Sequence, residues 1–545
     1  MGGIMKTRIL IVAIVMLGGF AFLGCGASEG SDAAVEMPNG SSDDYNQEPG
    51  GQYADASSVS DTYVPAQEEE MDFDFQAPQA SEHYVYIAAT ARDSLVRINA
   101  ETLDIQLIPV GGAPTEVATL PAGDVAVVLN SGTDDISIVR SSEESNEVTT
   151  LGILPYLNTI EISPDGRHAI VFYNHKRAME TDPVGDLQTI LVISLKGGEE
   201  SVSRVSTGFH PTDVFFHDSL PMPYLVTDDG VGVLDLEDTQ DGDITPVVAV
   251  SDDLMEDPEL REVVVTRDGD YALVRNHGSA VLGVVSLVDE AIHTTDLPGI
   301  ATDVDLIPGR HQALLVLREE SLALVVDLEG LMAEEEDAVE TVDISGTQAG
   351  AAVVSRDGSR AVLYSTVGGT KAVSVLDLVE AGYPWTAVPV QKTVVGVDIS
   401  PLGTTAVIFH EAHGATAGDS DVDQTVAMSN GFTLFQLETG YRKLIQTEDP
   451  WTNHLFVSSQ TEDQRLYVLT PDPHNVSHVL QSVDLATFIR ERMPMAARPE
   501  SMVYVATSGK VAVSQEHLNG RISFVDVSTD EVYSVTGYEL NGMIH

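Results

Sequence analysis

The sequence predicts an all-β chain, a β-propeller of four-stranded blades carried behind an apolar leader and a disordered acidic tether. Three observations predict it. Short runs alternating apolar and polar residues recur from Tyr84 onward. Turns of the Ser-Pro-Asp-Gly type separate them. The turn glycines return with a period in the forties: Gly123 to Gly166 is 43 residues, Gly269 to Gly309 is 40, Gly309 to Gly358 is 49 and Gly358 to Gly403 is 45. Such a period divided among four short strands is the spacing of a propeller blade.

At 545 residues the chain is too long for one ordinary core, so it holds several domains or a repeat array. Lys and Arg total 27 against 85 Asp and Glu, a net charge of −58. Nucleic acid is excluded as a partner, because neutralising phosphates needs clustered Lys and Arg. Cys25 is the single cysteine. An internal disulfide framework and a cysteine-based zinc site are excluded with it.

Residues 1–25 read as a secretory signal peptide. Lys6 and Arg8 form a charged start and Ile9–Phe22 an apolar run, short against the ~20 residues of a membrane span. The run ends in Phe22-Leu23-Gly24-Cys25, which resembles the lipobox of bacterial lipoproteins, with Phe22 in place of the usual Leu. The resemblance implies lipidation of Cys25 and more than one acyl chain, enough for stable anchoring. Ala27 rather than Asp follows second after the cysteine, which by analogy with enteric lipoproteins favours the outer membrane or cell surface. Residues 26–80 carry thirteen Asp and Glu and no Lys or Arg. Such a segment cannot bury enough apolar surface to offset its chain entropy, and self-repulsion extends it into a tether. Glu68-Glu69-Glu70 reads as part of that solvated stretch.

Residues 81–545 form the propeller domain. Its turns are Ser163-Pro164-Asp165-Gly166, Thr266-Arg267-Asp268-Gly269, Ser355-Arg356-Asp357-Gly358 and Ser400-Pro401-Leu402-Gly403, with degenerate copies at Pro121-Ala122-Gly123 and Pro308-Gly309. Glycine accepts the positive φ of a tight turn, and Asp or Ser bonds the local backbone. A third run in five of the units ends near Asp: Asp235, Asp327, Asp377, Asp484 and Asp526. Each is expected to cap the turn that follows. Ser321–Asp337 and Leu485–Arg492 hold the plausible short helices. Units start near 84, 114, 157, 211, 260, 300, 349, 394, 453 and 499. Seven or eight blades is the commoner outcome for a propeller, so the count is bounded at 7–10: some units can be insertions, or the chain can hold two smaller propellers. The first unit lacks an opening strand, which Tyr538–His545 is expected to supply.

The units resemble the YVTN-type propeller repeats of bacterial surface and periplasmic proteins. His210-Pro211-Thr212-Asp213-Val214 and Ala113-Pro114-Thr115-Glu116-Val117 match the opening of that repeat, and Leu129-Asn130 and Tyr173-Asn174 its middle. The Trp-Asp dipeptide of WD repeats is missing. The resemblance covers roughly 84–545 and implies the fold rather than an activity.

Histidines follow the second run of several units: His175, His277, His410 with His413, His474 and His517. Loops from the second to the third strand leave a propeller on one face, so these form a candidate ligand face. Imidazole is a common metal ligand. Asp419, Asp421 and Asp423 resemble the start of a calcium loop, although Gln424 replaces the expected Gly. Asp238, Asp241 and Asp243 make a second acidic cluster. No cofactor is expected unless calcium binds there. The reading is a membrane-anchored binding or scaffold propeller without catalysis, taking a protein, glycan or small molecule on loops such as His175–Asp186 and Glu411–Ser429. The rival is a propeller enzyme, redox or hydrolytic, with a metal on the histidine face. A third reading is a part of an outer-membrane assembly.

Overall fold

The computed structural model describes residues 78–538, apart from 121, 178–186, 218, 254–255, 368, 415–419 and 475–476. The signal, Cys25 and nearly all of the tether lie outside the described residues. Ten antiparallel sheets follow one another along the chain, each with four strands taken in chain order. They are the ten blades of one ring. Their first strands begin at 79, 114, 159, 213, 261, 303, 351, 396, 453 and 499.

Ten apolar clusters fill the ten seams between blades, and the last joins blade 10 to blade 1. This explains why the middle strands are apolar almost throughout. In the strand Val125–Asn130, Ala126 and Val128 pack toward blade 1 while Val127 and Leu129 pack toward blade 3. Period-two alternation sends successive side chains to opposite faces, and here both faces are core. In blade 6, Ala313, Leu315 and Leu317 face blade 5, whereas Leu314 and Val316 face blade 7.

First strands of successive blades touch one another, so they stand nearest the axis. Fourth strands such as Asn146–Gly152 and Val532–Thr536 are largely exposed at the rim. Blade 3 gains a fifth strand: Asp243–Ile244, from blade 4, pairs in parallel with Ser201–Ser206.

The repeat turns share one hydrogen-bond scheme. The N–H groups of Gly166, Gly269, Gly358 and Gly403 donate to the carbonyls of Ser163, Thr266, Ser355 and Ser400, each at 2.8 Å. The hydroxyl of that Ser or Thr accepts from the N–H opening the next strand, each at 3.0 Å. The four glycines have φ between +66° and +71°. The Asp residues ending third strands cap as expected. Asp377 Oδ1 accepts from the N–H groups of Val379 and Glu380, and Asp526 Oδ1 from those of Ser528 and Thr529.

Two expectations fail. The opening strand of blade 1 is Gln79–Ala80, paired with Tyr86 and Val85, and not the C-terminal segment. Tyr538 instead packs as a side chain in the seam between blades 10 and 1, and residues 539–545 lie outside the described residues. Leu485–Arg492 is not helical. Asp484 accepts from Thr487 N–H and Oγ1, which closes a turn, and the fourth strand starts at Arg490. In Ser321–Asp337 the helix is confined to Leu328–Met332. Among the described residues no helix is long and apolar enough to cross a membrane.

Candidate ligand-binding site

The strands nearest the axis carry acid. Glu116, Glu161, Asp213, Glu262, Asp303, Asp305, Asp398 and Glu500 stand on first strands, against one strongly basic residue there, Arg261. Most have a specific partner. Arg177 Nη1 lies 3.3 Å from Glu116 Oε1, and Arg275 pairs with Glu262 at 2.5 Å. Asp303 accepts from Ala352 N–H at 2.6 Å, and Asp398 meets His454 Nε2 at 2.6 Å.

Glu161 differs. Burial pushes its carboxyl up to about 7; Arg177 works against this and neighbouring Asp213 adds to it. No hydrogen bond from the described residues stabilises its charged form. A carboxyl raised in this way, chiefly by burial, keeps its proton to near neutral pH.

The loop above this acid is fixed by asparagine. Asn174 N–H donates to Asn158 Oδ1 at 2.7 Å, Asn158 Nδ2 to Asn174 O at 2.9 Å, and Asn174 Nδ2 to Thr212 O at 2.8 Å. These bonds tie the end of blade 3's second strand to the chain entering blades 3 and 4. The turn His175–Arg177 starts there. It sends Arg177 toward Glu116 and sets His175 on His210, with ring centroids 4.5 Å apart. His210 precedes a proline and has φ +49°, a costly conformation for a non-glycine residue. Its Nδ1 lies 2.9 Å from Asp228 Oδ2, which holds the ring in place. Burial and the neighbouring His210 lower the pKa of His175. A small cleft lined by His175, Thr212, Thr227, Asp228, Glu259 and Arg261 opens beside the pair.

The other histidines of the candidate face end or follow second strands but meet no common centre among the described residues. His410 is fully buried. One ring nitrogen lies 2.8 Å from Thr393 O and the other 2.8 Å from Thr433 Oγ1, and burial lowers it to about 4. It is a core residue. His474 and His517 are exposed, and His277 is half-buried with its N–H bonded to Leu260 O.

Asp419 lies outside the described residues. Asp421 and Asp423 are not in an extended loop. They open the helix Asp421–Ala427, capped by Ser420, whose Oγ accepts from Asp423 N–H. Carboxylates two apart on a helix point to different sides, and the helix N-terminus already favours both. In the second acidic cluster, Asp241 accepts from Arg204 N–H at 3.0 Å and Asp243 from Gln240 N–H at 2.7 Å, so these carboxylates hold backbone.

Sequence reading missed Glu161, Asp213, Arg177, His210 and Asp228. The signal was present: an acid recurring in the opening strand of the unit, visible in both the Pro-Thr-Glu and Pro-Thr-Asp matches.

No known protein family and no curated protein matches the sequence. Among solved structures the chain is similar to a dihydro-heme d1 dehydrogenase, NirN, in complex with DHE, at 12% identity over 76% of each chain with a TM-score of 0.39. It is similar to AztD of Citrobacter koseri at 12% identity, covering 68% of this chain and 94% of that one with a TM-score of 0.38. A eukaryotic initiation factor is similar at 9% identity, 84% and 97% coverage and a TM-score of 0.45. The assignment of the fold rests on the chain's own sheet topology.

Proposed function

We propose that the chain is a binding propeller without catalysis, of the YVTN-like surface type. It is anchored through lipidated Cys25 on the outer membrane or cell surface and takes a cationic ligand at the axial acids of blades 2–4. The observation that carries the ligand class is Glu161: an axial carboxyl raised to about 7, with Asp213 beside it and no hydrogen-bond partner among the described residues. A cationic amine or guanidinium on a small molecule or protein tip supplies the missing charge, and the His175–His210 pair offers aromatic surface, with His175 on the same turn as Arg177. The acidic tether lets the ring meet that ligand away from the membrane.

Spermidine is a suitable probe, titrated calorimetrically into the purified chain at 0.15 M salt, where exposed charges are largely screened. Glu161→Gln with Asp213→Asn is expected to weaken binding at least 10-fold, whereas Asp421→Asn on the far helix leaves it unchanged. Equal binding by all three proteins would remove the axial site from the reading. Anchoring is tested separately: Cys25→Ser should move the protein from the membrane to the soluble fraction and abolish palmitate labelling. A variant that stays membrane-bound and labelled would overturn the lipoprotein assignment.

A further inference from the structure

The first-to-second-strand turns emerge on the face opposite the histidine loops. Where blades 5 and 6 meet on that face, the turn Thr266–Asp270 brings Asp268 and Asp270 toward His311, which lies in the corresponding turn of blade 6. One donor atom from each of the three lies within 4.8 Å of the other two. His311 Nε2 is bonded to Asp268 Oδ2 and lies 3.9 Å from Asp270 Oδ2. Its Nδ1 is taken at 2.5 Å by Glu329 Oε1, from the helix Leu328–Met332. Tyr271 packs edge-on against the ring, centroids 5.3 Å apart.

This is more than a patch of acid. A carboxylate on Nδ1 fixes an imidazole's tautomer and aims Nε2 away from itself, the arrangement that orients metal-binding histidines from behind. Here Nε2 is aimed at two carboxylates on a neighbouring blade. We propose that Asp268, Asp270 and His311 bind a divalent transition metal of the zinc class, with Glu329 orienting the imidazole, and that the metal fastens blade 5 to blade 6. The imidazole selects against calcium and magnesium, which take oxygen ligands. Binding exchanges the Nε2 proton, released to solvent, for the metal. The side chains remain partly exposed, so water completes the coordination shell. This site is independent of the proposed ligand site at Glu161 and Asp213: it lies on other blades and on the opposite face.

The rival occupant of Nε2 is a proton, which would make the group an ion-pair cluster only. The purified chain, freed of metal by chelation, is titrated with zinc sulfate by calorimetry and by melting, with calcium and magnesium chlorides as controls. His311→Gln and Asp270→Asn are compared with wild type and with His517→Gln, which removes an exposed histidine elsewhere. The carboxylate of Asp270 is not used by its turn, so that variant keeps the fold. The expected result is one zinc equivalent, and a rise in melting temperature specific to zinc, in wild type and His517→Gln. Both should be lost or weakened more than 10-fold in His311→Gln and Asp270→Asn, and Glu329→Gln should weaken zinc by about 10-fold. Zinc binding of equal stoichiometry and affinity in all variants, or none in wild type, would overturn the proposal.

Discussion

Burial moves the titratable side chains of this ring in opposite directions, and each direction has a consequence for stability. Glu161 is raised from an ordinary 4.5 to about 7, so the folded state holds its proton more tightly than the unfolded chain. Its stabilising contribution is fully present below about pH 4.5 and is lost as pH rises through 7. Replacing it by Gln removes the titration while keeping the shape. Glu161→Gln is therefore expected to match wild type near pH 4.5 and exceed it above pH 7 by on the order of 1–3 kcal/mol. Urea unfolding at pH 5 and pH 8 checks this. A gain that is equal at both values, or a loss at pH 8, would show that the carboxyl is solvated in the folded ring. Lys392 shows a different solution to burying charge. It is 0% exposed, and its Nζ donates to Val426 O and Ala427 O, carbonyls at the C-terminal end of the helix Asp421–Ala427, where a cation is favoured.

The repeated turns are the elements in which local sequence and packing can be separated. Gly269 and Gly403 both have φ +71°. A Cβ on Gly403 would find its nearest neighbour at 3.5 Å, whereas one on Gly269 would sit 1.7 Å from the buried Tyr224 hydroxyl. Gly403→Ala is expected to cost about 1 kcal/mol for the left-handed backbone alone. Gly269→Ala should cost roughly 2–4 kcal/mol, because Tyr224 must leave the seam between blades 4 and 5. Paired melting curves decide it, and equal losses would mean that Tyr224 moves freely. The ten units were legible in the sequence because the signals that mark them are local: a Ser-x-Asp-Gly turn, an Asp after the third strand, and alternation between. Leu485–Arg492 misled because Asp484 and Thr487 close a turn that periodicity cannot register. The axial acids were legible as a recurring opening-strand acid, but their proximity was not, for another reason. Glu116, Glu161 and Asp213 are about fifty residues apart in sequence, and the ring brings them near one axis only after every blade has formed. His410 shows the converse, a histidine in the expected sequence position that packing makes a core residue.

Closure is where the whole molecule differs most from the sum of its blades. All four strands of blade 1 come from one continuous stretch of chain, beginning with the two-residue strand Gln79–Ala80. No strand from the C-terminus is exchanged into it among the described residues. Nine seams join blades that the chain also connects; the tenth joins the two ends and has only side-chain packing and a few hydrogen bonds. Its cluster comprises Val85, Val96 and Ile98 from blade 1 and Val505, Ile522, Phe524 and Tyr538 from blade 10. Lys510 Nζ donates to Ala100 O at 2.8 Å, and Thr507 Oγ1 donates to Glu82 O. In a repeat array, stability is close to a sum of unit and nearest-neighbour terms, so the seam without a covalent connection opens at the lowest free energy. Amide exchange should therefore be fastest in blades 1 and 10 and slowest in blades 5 and 6. Phe524→Ala removes the largest apolar group from that seam, and a loss of about 3–5 kcal/mol is expected from it. Exchange should then accelerate first in Tyr84–Ala89 and Arg521–Asp526. Truncation after Gly537 removes Tyr538 from the seam but no strand among the described residues, so it should weaken closure less than loss of Gln79–Ala80 together with the residues before it. Equal protection of the two terminal blades and the central ones, before and after Phe524→Ala, would mean that the ring unfolds as a single unit and that its tenth seam is as strong as the nine others.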